Sequence, residues 1–203
     1  AALIGISEAV GPLSDETMLQ EERAVLEPLF RQLDSLAAQD VEAETVEKLL
    51  CSAELRPALA EISRLRNLYN LRLEIEQAQA LLHNADPWAR IQGFTFYANY
   101  LQLAAMEQQG ADLRSGDTII FLGSGPLPLS LILLCSKYNL NGVGIERDAG
   151  LAELSRQLLQ HLGMQKQISI VAGDHFSLPL AENTAKENTL LMVAAMARPK
   201  QDI

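Results

Sequence analysis

Thr118-Ile-Ile-Phe-Leu-Gly-Ser-Gly-Pro-Leu-Pro-Leu-Ser130 holds a strand, a turn and a helix start in one short run. Ile119 to Leu122 are uniformly apolar, as a strand buried on both faces would be. Gly123-Ser124-Gly125 then breaks the run, and an apolar helix is expected from Pro126, over 127–138. Val143-Gly-Ile-Glu146 forms a second strand-like run, ending in a carboxylate roughly twenty residues after the glycines. Strand, glycine turn, helix and an acidic residue closing the next strand is how a doubly wound sheet holds an adenosine ribose. Pro126 and Pro128 fit the first helical turn, where backbone N–H groups lack intrahelical partners. They also remove donors that a pyrophosphate would use, and Pro128 stands where a dinucleotide fingerprint has its third glycine. A nucleoside without phosphates fits better, which points to S-adenosylmethionine.

The alternation continues outward from this run. Strands are expected at 118–122, 142–146, 168–172 and 190–196, with a helix over 148–162 and a polar surface loop over 181–189. That order predicts a parallel sheet. The chain reaches Ile203 just after the fourth strand, where sheets of this type continue, so the sequence reads as C-terminally incomplete. Upstream, residues 14 to about 110 read as helix, with Ser14 as an N-cap and a short helix near 42–51. A long helix follows from Glu54 to Asn84, with Pro57 in its first turn, and another is expected from Asp86-Pro87 through Leu103. The domains expected are therefore 1–112, all-α, and 113–203, a Rossmann-like S-adenosylmethionine-binding α/β domain with a parallel central sheet.

Bulk properties narrow the function. The chain has 203 residues, 48% of them hydrophobic, and a net charge of −10. Such a balance argues against phosphate-backbone binding, so nucleic acid is not an expected partner. Cys51 and Cys135 stand alone in apolar helical contexts and are expected to be buried thiols. His83, His161 and His175 show no metal-ligand spacing, and no metal is expected. No segment reaches the roughly 18 apolar residues of a membrane span, and the first residues lack a basic leader. A cytoplasmic protein without membrane partners is the expectation, with homodimerisation left open.

The helical half holds a second clue. On a wheel of about 100° per residue, Ile62, Leu65, Tyr69 and Leu73 share one face of the long helix, and Leu68, Leu71, Ile75, Ala78 and Leu82 the opposite one. A helix apolar on two sides is sandwiched between neighbours. Glu74 and Glu76 fall within it. Each is either a rim carboxylate or, if buried, a general base with raised proton affinity. Phe94-Thr-Phe-Tyr97-Ala-Asn-Tyr100 is aromatic-dense in an aromatic-poor chain. Tyr97 and Tyr100, three apart, can turn their hydroxyls to one side, toward core or toward a pocket.

In order along the chain, Asn70-Leu-Arg-Leu-Glu74-Ile-Glu76, Pro87-Trp88, Phe94 to Leu101 and Gly123 to Leu129 resemble segments of nicotianamine synthase and its bacterial opine-metallophore relatives. The resemblance continues through Glu146-Arg-Asp148, Ala152 to Ser155, Gly173-Asp174 and Met192 to Lys200. It implies a helical domain ahead of a methyltransferase-like Rossmann domain, with a pocket between them. It also implies transfer of the 3-amino-3-carboxypropyl (aminobutanoyl) group of S-adenosylmethionine, not its methyl, with release of methylthioadenosine. The acceptor is then either another aminobutanoyl unit, giving nicotianamine, or histidine, giving an opine-metallophore precursor used in metal acquisition. By the same resemblance Glu74 is the base, and Tyr97 and Tyr100 belong to the catalytic pocket. The cofactor site comprises Gly123, Ser124, Gly125, Pro126, Leu127, Glu146, Asp174 and Ala194, with Glu146 toward the ribose and Asp174 near the adenine. Two rivals share the cofactor motif: a small-molecule methyltransferase, which would release S-adenosylhomocysteine, and a protein that binds S-adenosylmethionine without turnover.

Overall fold

The alternation in the second half becomes four parallel strands in a computed structural model of the chain, which describes residues 2–20, 23–53, 55–94, 97–174, 176 and 189–194. The strands are β1 (Thr118–Leu122), β2 (Asn141–Glu146), β3 (Ile168–Ala172) and β4 (Thr189–Val193). They form one sheet in the order β3-β2-β1-β4. All three pairings are parallel, with Ile120 opposite Val143 on one side and Leu191 on the other. Glu54, Thr95, Phe96, His175, the expected loop over 181–188 and residues 195–200 of the last expected strand and motif lie outside the described residues.

Side chains alternate across a strand, and the core follows that period. Ile119, Ile168 and Ile170 join the apolar faces of α8 (Leu129–Tyr138) and α9 (Ala149–His161) in one cluster. Ile120, Leu122 and Ile145 form a separate cluster on the opposite face. Two glycines let β2 pass close to its neighbours. A Cβ on Gly142 would come 3.1 Å from Cys135 Sγ, and one on Gly144 would come 2.6 Å from Ile170 Cδ1 and 2.8 Å from Ser124 Oγ. Glycine in a strand interior marks such an approach.

Helix α8 begins later than the sequence suggests. Pro128 is its N-cap, and neither proline lies in the first turn. The residue before a proline is pushed out of the helical region, so Gly125 and Leu127 cannot join a helix. The prolines therefore prolong the turn. Helix α9 starts where expected because the Asp148 side chain accepts from Leu151 N–H at 2.9 Å.

The described contacts divide the chain into two compact units, Ala1–Leu73 and Glu74–Ile203. The first holds α1 (Ala2–Val10), which the sequence reading did not anticipate, α2 (Asp15–Gln20), α3 (Arg23–Ala37), α4 (Ala43–Cys51) and the start of α5 (Arg56–Leu82). Its core joins Ile6, Val10, Met18, Leu26, Phe30, Ile62 and Leu65, and Phe30 stacks on Tyr69. Ser14 caps α2 as expected, accepting from Thr17 N–H at 3.1 Å. Arg64 binds Asp15, Glu61 and the Leu13 carbonyl, tying the α1–α2 connection to α5. Cys51 is exposed, contrary to expectation, because α4 buries none of its residues. Cys135 is buried, and burial pushes its thiol up to about 12.

The second unit begins at Glu74 and includes α6 (Pro87–Gln92) and α7 (Tyr97–Gly110). The single helix expected from Pro87 is thus two, with Gly93 closing the first. Ala78, Leu81, Ile91 and Ala104 share the core of α8 and α9. The whole is an α/β chain in which helices precede a parallel, Rossmann-like sheet. Gly144→Ala is expected to destabilise the fold by about 1–3 kcal/mol, the usual cost of overpacking. Its urea unfolding midpoint, measured beside wild type, would show this as a lower midpoint at unchanged slope.

Candidate functional site

The C-terminal ends of the strands are stitched together by backbone hydrogen bonds one step beyond the strands themselves. Gly123 N–H donates to the Ile145 carbonyl at 2.8 Å, Gly173 N–H to the Glu146 carbonyl at 2.9 Å, and Ala194 N–H to the Leu122 carbonyl at 2.9 Å. Gly123, Glu146, the Gly173-Asp174 step and Ala194 therefore lie along one edge of the sheet. β1 sits where the strand order reverses, with β2 on one side and β4 on the other. Ligands of open α/β sheets bind at that crevice.

At the turn after β1 the backbone takes φ +75° at Gly123 and +68° at Gly125, a region that only glycine enters freely. Between them, Ser124 is buried, and its Oγ has no hydrogen-bond partner among the described residues. Pro126 and Leu127, which follow it in the chain, are buried. Glu146 fastens the turn to the next strand: Oε2 accepts from Gly125 N–H at 3.0 Å, and Oε1 accepts from Asp148 N–H at 2.9 Å. A carboxylate accepts about four hydrogen bonds, so both oxygens keep capacity for hydroxyl groups. Asp174 is half-buried, and its Oδ1 accepts from Phe176 N–H at 3.1 Å.

Glu74 reaches this turn from α5. A Cβ on Gly125 would stand 2.8 Å from Glu74 Oε2, so the carboxylate occupies room that any other residue would fill. Burial, and then the Glu146 charge, raise the Glu74 carboxyl from 4.5 to about 7. Tyr100, on α7, is half-buried against the core. Burial and then the Glu74 charge push its phenol upward, which keeps it a neutral O–H donor. Glu74, Tyr100, Gly125 and Glu146 thus act on one another, although they come from α5, α7, the β1 turn and β2. Tyr97 opens α7 one turn before Tyr100 and packs against the same core.

Two contributors escaped the sequence reading. Asp148 holds Glu146 through its backbone N–H while its side chain caps α9, and the Glu146-Arg147-Asp148 spacing is the local sign of that arrangement. Gly144 leaves the space into which Ser124 packs, which no local pattern indicates. Among the described residues no three His, Cys, Asp or Glu side chains converge as a metal site, and no helix is long and apolar enough to cross a membrane.

L-histidine 2-aminobutanoyltransferase of Yersinia pestis is 23% identical over 201 residues, covering 99% of this chain and 72% of that protein. MtNAS, solved as a glutamate-to-glutamine mutant in complex with S-adenosylmethionine, is 28% identical with a TM-score of 0.77, over 99% of this chain and 73% of that one. MtNAS in complex with MTA and tNA is also 28% identical, with a TM-score of 0.80 over 98% of this chain and 74% of that one. The model of the family described as nicotianamine synthase protein matches residues 2–196. With nearly its whole length matched, the chain belongs to the nicotianamine synthase family.

Proposed function

We propose that this chain transfers the 3-amino-3-carboxypropyl group of S-adenosylmethionine to an amine, releasing methylthioadenosine. The observation that carries the proposal is the Glu74 carboxylate, half-buried against the glycine turn of the nucleoside site and raised to about 7. A methyl transfer to a nucleophile that is already neutral needs no such group. An ammonium acceptor does, because it has no lone pair until a base removes its proton. Raising the carboxyl from 4.5 to about 7 brings it closer to an ammonium in proton affinity and lowers the uphill cost of that transfer by about 3 kcal/mol.

In this reading the freed amine forms a C–N bond to the γ-carbon of S-adenosylmethionine while the C–S bond breaks. Its electron pair goes to sulfur and neutralises the sulfonium. Glu74 keeps the proton and returns it to solvent. The sulfonium is an able leaving group, so orientation is the larger task. Glu146 is assigned to the ribose hydroxyls, Asp174 to the adenine side, and Gly123, Ser124, Gly125, Pro126, Leu127 and Ala194 to the walls of the nucleoside site. Tyr100, as a neutral donor, and Tyr97 are assigned to the amino-acid ends of the substrates. Histidine and a second S-adenosylmethionine-derived amine are the two acceptor classes, and the Yersinia relative, named for histidine, supports the first. The product would serve metallophore biosynthesis.

Incubation with S-adenosylmethionine, with and without histidine, followed by mass spectrometry, is expected to give methylthioadenosine and a condensed amine. S-adenosylhomocysteine as the nucleoside product would overturn the proposal.

Glu74→Gln supplies two further expectations. The turnover of wild type should rise with pH through about 7, where Glu74 loses its proton. The variant should lose about 10²–10⁴-fold in kcat, with that limb gone. Stability should move the other way. The folded chain holds the Glu74 proton more tightly than an unfolded one, so the stability contributed by the neutral form is full below about pH 4.5 and lost as the pH rises through about 7. The variant is therefore expected to be more stable than wild type at alkaline pH, on the order of 2–3 kcal/mol, and little different in acid. Urea unfolding at both pH values checks this.

A further inference from the structure

Gly125 has two sets of neighbours that room for a nucleoside does not explain. Its N–H donates to Glu146 Oε2 at 3.0 Å. Where its side chain would be, Glu74 Oε2 comes within 2.8 Å of the missing Cβ. A real Cβ essentially never sits that close to another heavy atom, so a methyl there would move the carboxylate. One residue therefore touches both carboxylates, one through its amide and the other through its bare face.

Building on the reading of Glu74 as the base, we infer that Gly125 is a positioning residue for deprotonation of the acceptor amine: it spaces the two carboxylates, holding Glu146 by its N–H and leaving open the seat of Glu74. Among the described residues, the Glu146 charge at the end of β2 acts on Glu74, and the Glu74 charge acts on the Tyr100 phenol of α7. Glu146 is itself fixed at both oxygens, so the distance between the charges is set by the turn. Displacing Glu74 changes its burial and its separation from Glu146 together. The expected direction is a lower proton affinity, since both the desolvation and the repulsion weaken.

A role confined to the nucleoside would behave differently. An added methyl would then weaken S-adenosylmethionine binding and leave turnover at saturation intact.

The test uses Gly125→Ala and Gly125→Asn in the full chain; asparagine tolerates the positive φ at this position better than alanine. Calorimetric titration with S-adenosylmethionine reads binding, and methylthioadenosine release at saturation, over about pH 5.5 to 9, reads the chemistry. Both variants are expected to lose at least about tenfold in kcat measured at saturating S-adenosylmethionine, a loss made in the reaction whatever the change in dissociation constant. Combining Gly125→Ala with Glu74→Asp, which shortens the side chain by one methylene, should give a kcat at least about fivefold above the product of the two single losses, as touching residues do. Difference infrared titration of the Glu74 carboxyl, referenced to Glu74→Gln, should show its midpoint fall by about half a pH unit or more in Gly125→Ala.

Weakened binding with unchanged kcat, multiplicative losses, or an unmoved Glu74 midpoint would overturn the inference. The infrared readout needs no turnover. If wild type makes no methylthioadenosine and the midpoint still moves, the proposed function fails while the spacing role stands.

Discussion

The carboxylate of Glu146 is the tie on which the site depends. It accepts one hydrogen bond from the turn after β1 and another from the start of the segment leading into α9. Both donors are backbone amides outside the regular sheet ladder, the Gly125 bond part-buried and the Asp148 bond exposed. One side chain thus satisfies two loop amides and fixes the turn against the end of β2. The left-handed backbone at Gly123 and Gly125 is held in place from that side.

Placing Glu74 against the same turn works against stability. A carboxyl taken from water and set near a second carboxylate holds its proton, and ionising it costs free energy. The fold accommodates this at the junction of a long helix and a glycine turn, where many apolar contacts over-determine the geometry. Ala78 and Leu81 anchor the following turns of α5 in the main core. Such a conflict between local stability and arrangement is expected where a chain does chemistry. The same logic explains why the turn has no side chain at Gly125, because the space belongs to a residue about fifty positions upstream.

Much of the sheet was legible because its signals are local. β1 and β3 fall at the predicted residues, and β2 and β4 begin one residue earlier than expected. Four- and five-residue apolar runs between glycine turns admit few other readings. α8 starts at Leu129, later than the prolines alone suggest, because a proline tolerated in a first helical turn also pushes the residue before it out of the helical region. Composition changes near residue 112, where strands begin, but the contacts divide at Leu73 and Glu74. α6, α7 and the end of α5 share the core of the sheet helices, and a helix wheel cannot say which neighbour covers a given face. Cys51 illustrates the same limit: α4 is amphipathic by pattern, yet none of its residues is buried.

By itself the sequence determined the α/β class, the parallel strands, the glycine turn and the acidic residue closing β2, because each depends on neighbours a few positions away. It also left Glu74 with two readings, a rim carboxylate or a buried base. Only the tertiary structure sets how far that carboxyl is withdrawn from water and which charge stands near it. Proton affinity depends on how much water a carboxyl loses and on which charges stand within a few ångströms, and both are set by residues far away in the chain. Glu74 meets Gly125 and Glu146 because α5 and the turn after β1 fold to one place. No pattern within either segment records that approach.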